Sequence, residues 1–192
     1  MTATRTPPTV RIPQRQLHEQ LITRARRSRE RITALARPLD TGRLLQRPAP
    51  DSWSAGELLE HLCLSDEVYA EGRRSLVGRG RTDAGAPLRE WRPTLLGALM
   101  AWSLESPRPL KAPKAFTPGP SPRNGVVEAY LAIDSAVTRQ MDDAAALDWR
   151  ALRMAPPSLP PVVRLNLGDV YRISVIHVER HAAQLERIIA KL

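Results

Sequence analysis

The sequence has a single cysteine, Cys63, and only one phenylalanine among its 192 residues. One cysteine excludes an intramolecular disulfide framework and any zinc or redox site of the CxxC type. The richest apolar run, residues 95–102, is shorter than the ~20 apolar residues that a membrane span needs. Residues 1–8 lack the apolar core of a signal peptide. We therefore expect a cytoplasmic protein with no membrane partner.

Length and composition favour one folded domain. The apolar share of 42% is too high for a wholly disordered chain, and 192 residues are enough to bury a sizeable core. Residues 1–12 are polar and contain proline, which predicts a disordered or loosely attached N-terminal tail. Residues 13–192 are then expected to form the domain.

The net charge of the chain is strongly positive. The chain has 29 Lys and Arg against 20 Asp and Glu, a net charge of +9, and only three of the basic residues are Lys. Such a preference for Arg is more typical of a GC-rich genome than of a ligand. A basic protein can still bind nucleic acid through its phosphates. The densest basic segment, residues 24–31, is interrupted by Glu30 and has no aromatic side chains to stack on bases. We therefore expect no nucleic-acid partner.

Apolar residues recur at steps of three or four along four long segments, a spacing that is typical of amphipathic helices. These segments are residues 13–39, 54–77, 124–141 and 167–190. A shorter helix is predicted over residues 94–104, and two proline-rich stretches, residues 106–123 and 148–165, predict irregular connections. No segment alternates with period two, so no strand is predicted. The expected fold is an all-α four-helix bundle with long crossover connections.

Two of the long helices have clear start signals. Ser54 stands three residues before Glu57, which is the spacing of a capping box. Asn166 is a typical N-cap, and Asp169 lies in the first turn, where the helix dipole favours a negative charge. These signals predict where the second and the last long helix begin.

Three of the four histidines lie on the apolar faces of these helices. Four residues turn an α-helix by about 400°, so His177 and His181 project from one face about a turn apart. This spacing lets one helix offer two imidazoles to one metal ion. His61 also faces inward on the second long helix, among its apolar residues. The alternative is that each histidine is a core residue with a local hydrogen bond. His18 lies off these faces and is expected at the surface or rim.

Two motifs resemble those of a known family. Residues 53–62, from Trp53 to Leu62, resemble the "WS…E…HL" opening of the DinB-like superfamily. Residues 177–184 resemble its closing "HxxRHxxQ" motif, and residues 111–118 are similar to a "KAPxxxxP" stretch of one branch. The resemblance extends from about residue 14 to the last residue of the sequence.

The resemblance implies a four-helix bundle that holds a divalent metal ion through His61, His177 and His181. Zinc, nickel and iron all suit imidazole ligands. Characterised relatives include bacillithiol S-transferases and a mycothiol-dependent maleylpyruvate isomerase, and many members are described as metal-dependent hydrolases without a known substrate. The family also implies a homodimer in many cases. The implied partner is a small molecule, such as a low-molecular-weight thiol.

Other residues near the histidines have weaker cases. Three His ligands leave coordination positions open for water or substrate. Gln184 lies one turn beyond His181 and would orient a ligand imidazole or a water, or else bond the backbone at the end of the core. Arg180 flanks the histidines and would hold an anionic group, or else be solvated. Cys63 points away from His61 around the helix, so it is not expected to be a nucleophile.

Three hypotheses follow from the sequence. The first is a metal-dependent enzyme that transfers a low-molecular-weight thiol or hydrolyses a small electrophile. The second is a non-catalytic metal-binding bundle that acts in stress response or in protein interaction. The third is a basic nucleic-acid binder whose histidines are structural. Metal content separates the third from the others, and a thiol-transfer assay separates the first from the second.

Overall fold

The structure is a computed structural model, and it describes residues 10–106, 108, 110–119, 121–157 and 159–192. These residues form six α-helices: α1 (Gln14–Ala36), α2 (Thr41–Leu45), α3 (Ala55–Arg79), α4 (Leu95–Glu105), α5 (Val126–Asp143) and α6 (Leu167–Ile189). They also form four two-residue strands: β1 (Ile12–Pro13), β2 (Glu90–Trp91), β3 (Arg153–Met154) and β4 (Leu165–Asn166). Among the described residues, no helix is both long enough and apolar enough to cross a membrane.

The four long helices pack as a four-helix bundle. Helix α1 packs against α5 and α6, and α3 packs against the same two helices. The shared core clusters show that α1 and α6 run in one direction and α3 and α5 in the other. Two long crossovers connect these helices, one from α3 to α5 and one from α5 to α6. Helix α4 belongs to the first crossover and packs on α6. The predicted bundle with long crossovers is therefore confirmed.

The core consists of two apolar clusters, one toward each end of the bundle. The first surrounds the start of α1 and α6, and its largest fully buried side chains are Leu21, Trp91, Trp149 and Tyr171. The second surrounds the start of α3 and α5, and it includes Ile32, Leu58, Leu59, Tyr130 and Leu185. Each long helix contributes to both clusters. Burial of this apolar surface is the main stabilising term of the bundle.

Both predicted helix starts are confirmed, and both are capping boxes, although a capping box was predicted only at α3. At α3, the Glu57 N–H donates to Ser54 Oγ (3.1 Å), and the Ser54 N–H donates to Glu57 Oε2 (2.8 Å). At α6, the Asp169 N–H donates to Asn166 Oδ1 (2.8 Å), and the Asn166 N–H donates to Asp169 Oδ2 (3.2 Å). Each box satisfies N–H groups that the first turn of a helix leaves free. The residues at which α3 and α6 begin are thereby fixed.

Three local features differ from the sequence-based expectations. Strand β1 pairs with β2, and β3 with β4, although no strand was predicted. Such two-residue strands are too short to show a period of two. Helix α1 ends at Ala36, two residues before Pro38, and the unpredicted helix α2 follows with Asp40 as its N-cap. Residues 1–9 of the predicted tail lie outside the described residues, whereas Ile12 is held by the pairing of β1 with Trp91.

The start of α6 leaves no room for a side chain at Gly168. A Cβ at this position would overlap the indole of Trp91, whose Nε1–H donates to Asn166 Oδ1 at 3.0 Å. We expect Gly168→Ala to lower the free energy of unfolding by about 1–3 kcal/mol, because it overpacks the core. Gly78, on the exposed side of α3, has no atom within 4 Å of such a Cβ. Gly78→Ala is the control, and it should raise stability by about 0.5–1 kcal/mol. Urea unfolding followed by circular dichroism measures both, and equal stability of the two variants would contradict this packing.

Candidate metal centre

Helices α3 and α6 bring three imidazoles together between them. His61 Nε2 lies 3.1 Å from His177 Nε2, and His181 Nε2 lies 3.0 Å from the same atom. One ring nitrogen of each histidine lies within 4.8 Å of the corresponding nitrogens of the other two. The three residues therefore meet at one point, as their helical positions predict. Their role as metal ligands stays a prediction.

Hydrogen bonds on the outer side of two rings fix their tautomers. His61 Nδ1 lies 2.6 Å from the backbone oxygen of Phe116, and His181 Nδ1 lies 2.9 Å from Gln184 Oε1. Both oxygens only accept hydrogen bonds, so each Nδ1 carries the proton and donates it. In the neutral rings, Nε2 of His61 and of His181 then presents a lone pair toward His177.

This arrangement leaves ring-nitrogen lone pairs that no group among the described residues can satisfy together. If His177 Nε2 carries a proton, it can donate that proton to Nε2 of only one of the two neighbouring histidines. The lone pair of the other neighbour is then left without a hydrogen bond. A cation at the convergence point would remove the repulsion. Two nitrogens bound tetrahedrally at about 2.1 Å from one zinc ion lie about 3.4 Å apart, close to the observed spacing. The residues therefore fit a divalent metal ion.

Burial keeps the three rings neutral, which is the form that binds metal. His61 and His181 are buried, and His177 is half-buried. Desolvation lowers the pKa of His61 and lowers that of His181 to about 3. Desolvation, and then the neighbouring histidines and Arg180, lower the pKa of His177 well below its usual value. The three lone pairs are therefore available at neutral pH.

The histidines lie in the wall of a large cleft of about 1360 Å³. Trp53 packs against His61 with the ring centroids 4.8 Å apart, and it lines the cleft together with Phe116. Gln184 also lines it, so the group that orients His181 faces the same space. The site can therefore admit a small molecule to the imidazoles.

The first crossover covers one side of the cleft and is tied to α6 by Arg180. The guanidinium of Arg180 donates to the backbone oxygens of Leu104 (3.0 Å), Ser106 (2.5 Å) and Arg108 (2.6 Å). Arg180 is therefore neither simply solvated nor bound to an anionic side chain in the described part of the chain. It fixes the segment that follows α4, beyond which Phe116 bonds to His61.

The remaining candidates lie where the sequence suggests. Gln184 bonds to His181 and not to the backbone, so its geometry is that of an orienting residue. His18 lies near the start of α1, where its Nε2 bonds to Asp142 Oδ1 at 3.0 Å. Cys63 is fully buried, and burial raises the pKa of its thiol to about 12, so it is not a nucleophile.

Two contacts of the site escaped the sequence reasoning. The backbone oxygen of Phe116 carries no signal in its residue type, because any residue offers the same carbonyl. Trp53 was visible as part of the opening motif, but its packing against the ring of His61 needs the structure. Arg123 was also missed: it bonds to both Glu60 and Glu67 and fastens the end of the crossover to α3.

Arg180→Gln tests whether this residue holds the crossover in place. The shorter, uncharged amide cannot reach three carbonyls, so the segment should open more often. We expect amide hydrogen exchange of residues 104–117 to accelerate by at least about tenfold, since the loss of even one bond to a charged donor costs roughly 1.5–3 kcal/mol locally. Exchange in α1 should not change. An unchanged exchange rate in residues 104–117 would show that other contacts hold the crossover.

The comparisons with known proteins agree with this architecture. Over 89% of this chain and 85% of the other, the structure resembles a solved structure with a TM-score of 0.53 and 14% sequence identity. That protein, YfiT from Bacillus subtilis, is described as a probable metal-dependent hydrolase with an unusual four-helix bundle topology. At this identity the likeness shows the fold alone. No curated protein matches the chain.

The sequence itself matches a family model. The match covers residues 24–185, which is well over half of the chain and includes all three histidines of the centre. The model describes the DinB superfamily. The family that the two sequence motifs indicate is therefore confirmed, and the chain belongs to the DinB superfamily.

Proposed function

We propose that this protein binds a divalent metal ion, zinc, nickel or iron, through the Nε2 atoms of His61, His177 and His181. We further propose that it acts on a small molecule, either by transferring a low-molecular-weight thiol or by hydrolysing a small electrophile. The observation that carries the proposal is the convergence of three Nε2 atoms whose lone pairs have no common partner in the part of the chain that the structure describes. The likeness to YfiT, described as a probable metal-dependent hydrolase, supports it.

The chain supplies orientation and access for such a reaction. A divalent ion, when bound, provides Lewis acidity that lowers the pKa of a thiol or a water in an open coordination position. Gln184 and the backbone oxygen of Phe116 hold the tautomers of His181 and His61. Trp53 shields one face of His61 from water. Since Cys63 is buried with a raised pKa, the thiol of a transfer reaction comes from outside the protein.

The transferase and the hydrolase differ in their second substrate. Purified, metal-loaded protein is incubated with 1-chloro-2,4-dinitrobenzene and a panel of small thiols, and with simple esters and amides without thiol. Thiol-dependent turnover supports the transferase, and thiol-independent turnover supports the hydrolase. Stoichiometric metal with no turnover in either panel would favour a non-catalytic metal-binding bundle.

We also propose that the protein forms a homodimer in the cytoplasm. Helix α4 is largely apolar, yet Leu95 is 87% exposed and Leu99 is 47% exposed. Exposed apolar side chains clustered on one helix are typical of a protein interface. Light scattering of the purified protein measures its mass, and cell fractionation locates it. A monomer at all concentrations would contradict the dimer.

His181→Ala tests the metal centre. Removal of one of three ligands leaves too few protein donors for tight retention of a divalent ion, so metal content should fall from about one ion per chain to well below half. Any thiol-transfer or hydrolytic activity should fall with it. Alanine is the best helix former, so α6 should persist, and circular dichroism checks this.

His18→Ala is the matched control. It removes an imidazole that bonds to Asp142 far from the centre, so its metal content should equal that of the unsubstituted protein. Full metal occupancy in His181→Ala would show that the three histidines do not act together as ligands, and the proposal would then fail.

Gln184 tests the orientation of a ligand ring. In Gln184→Leu, His181 Nδ1 loses its acceptor and the tautomer is no longer fixed. We expect metal affinity, measured by isothermal titration calorimetry, to weaken by about 10–100-fold. Gln184→Glu keeps an acceptor oxygen at the same place and should retain most of the affinity. Equal affinity of all three proteins would show that Gln184 does not orient His181.

A further inference from the structure

The acidic side chains that line the cleft are almost all neutralised. Four of the five form ion pairs with arginines that do not line it: Asp66 with Arg73, Glu105 with Arg172, Asp134 with Arg29, and Glu179 with Arg24. In the described part of the chain, only Asp51 among them has no cationic partner. The negative charge of the walls is therefore largely cancelled before any ligand binds.

The cationic side chains of the same walls are not neutralised. Lys111, Arg180, Arg187 and Lys191 line the cleft, and none of them pairs with a carboxylate in the residues that the structure describes. Arg180 donates to backbone oxygens, which carry no formal charge. The cleft consequently has an excess of positive charge, which attracts and concentrates anions.

Three of these cations come from two elements that line the same cleft as the histidine centre. Arg187 follows His181 by six residues on α6, about 9 Å along the helix axis, and Lys191 follows in the turn that ends α6. Lys111 comes from the crossover, five residues before Phe116. All three charges therefore line the same cleft as the histidines.

The rest of the wall near these cations is apolar. Trp53 packs against His61, and Leu110 is 48% exposed beside Lys111. Exposed apolar side chains next to unpaired cations suit a ligand that has an apolar body and an acidic group.

We propose that the substrate of this cleft is an organic anion whose carboxylate, sulfonate or phosphate group is attracted by the cationic excess of the wall, to which Lys111, Arg187 and Lys191 contribute, while its apolar body lies near the histidines. The inference rests on the proposed function, because it places the substrate in the same cleft. It adds the class of substrate, which neither the histidines nor the family match specifies.

A pair of dyes tests the inference without an assay of activity. The anionic dye 1-anilinonaphthalene-8-sulfonate and its uncharged counterpart N-phenyl-1-naphthylamine both fluoresce when they enter apolar clefts. The unsubstituted protein should bind the sulfonate more tightly. In the triple variant Lys111→Gln, Arg187→Gln and Lys191→Gln, the dissociation constant of the sulfonate should rise about tenfold, as expected for three exposed ion pairs. That of the uncharged dye should change less than twofold.

A second triple variant controls for net charge. Arg26→Gln, Arg27→Gln and Arg74→Gln remove the same charge from exposed positions outside the cleft and should leave sulfonate binding within twofold. Displacement of the dye by hexanoate, hexanesulfonate and hexyl phosphate then ranks the acidic groups. Equal loss in both triple variants, or no preference for the sulfonate in the unsubstituted protein, would overturn the inference.

A zinc titration of the same proteins keeps the two proposals apart. The cleft variant should bind zinc as tightly as the unsubstituted protein, since all three histidines are present. If zinc binds to none of these proteins, but the preference for the sulfonate dye depends on the three cations, the metal proposal fails and the anion site is retained. If zinc binds and the dye preference survives in the cleft variant, only the anion site is refuted.

Discussion

The antiparallel contact between α3 and α6 is the constraint on which the site depends. Each helix begins at a capping box, so the position of every side chain along the helix axis is defined relative to a fixed first turn. His61 lies in the second turn of α3, His177 lies at the middle of α6, and His181 lies one turn later. A slip of one residue in either helix would rotate a histidine by about 100° and disperse the three nitrogens.

Partial burial gives the three imidazoles their chemical character. In water, each ring would be protonated at mildly acidic pH and would satisfy its lone pair with solvent. Between α3 and α6, desolvation lowers their pKa values, and hydrogen bonds to Phe116 and Gln184 place the protons of His61 and His181 on the outer nitrogens. The inner nitrogens are left with their lone pairs facing one point. The packing that buries the rings therefore also favours the binding of a cation at that point.

The irregular crossover from α3 to α5 completes the cleft and gives it its charge. Arg180 ties its middle to α6, His61 bonds to Phe116 farther along, and Arg123 fastens its end to α3. Elsewhere in the walls, arginines pair with the carboxylates and leave a cationic excess. A bundle of four helices alone would hold the histidines, but the crossover provides the wall against which a substrate can bind.

The amino-acid sequence alone was enough to predict the four long helices, the capping box of α3, the N-cap of α6 and the inward direction of the histidines, because each follows from residues within a few turns of one another. It did not determine β1, the end of α1 or the contacts of the crossover. Phe116 is 55 residues from His61, and Leu104 is 76 residues from Arg180. Backbone oxygens look alike in every residue type, and the pairing of arginines with carboxylates across helices has no local period. Only the tertiary structure could decide these contacts, because they depend on which distant segments meet.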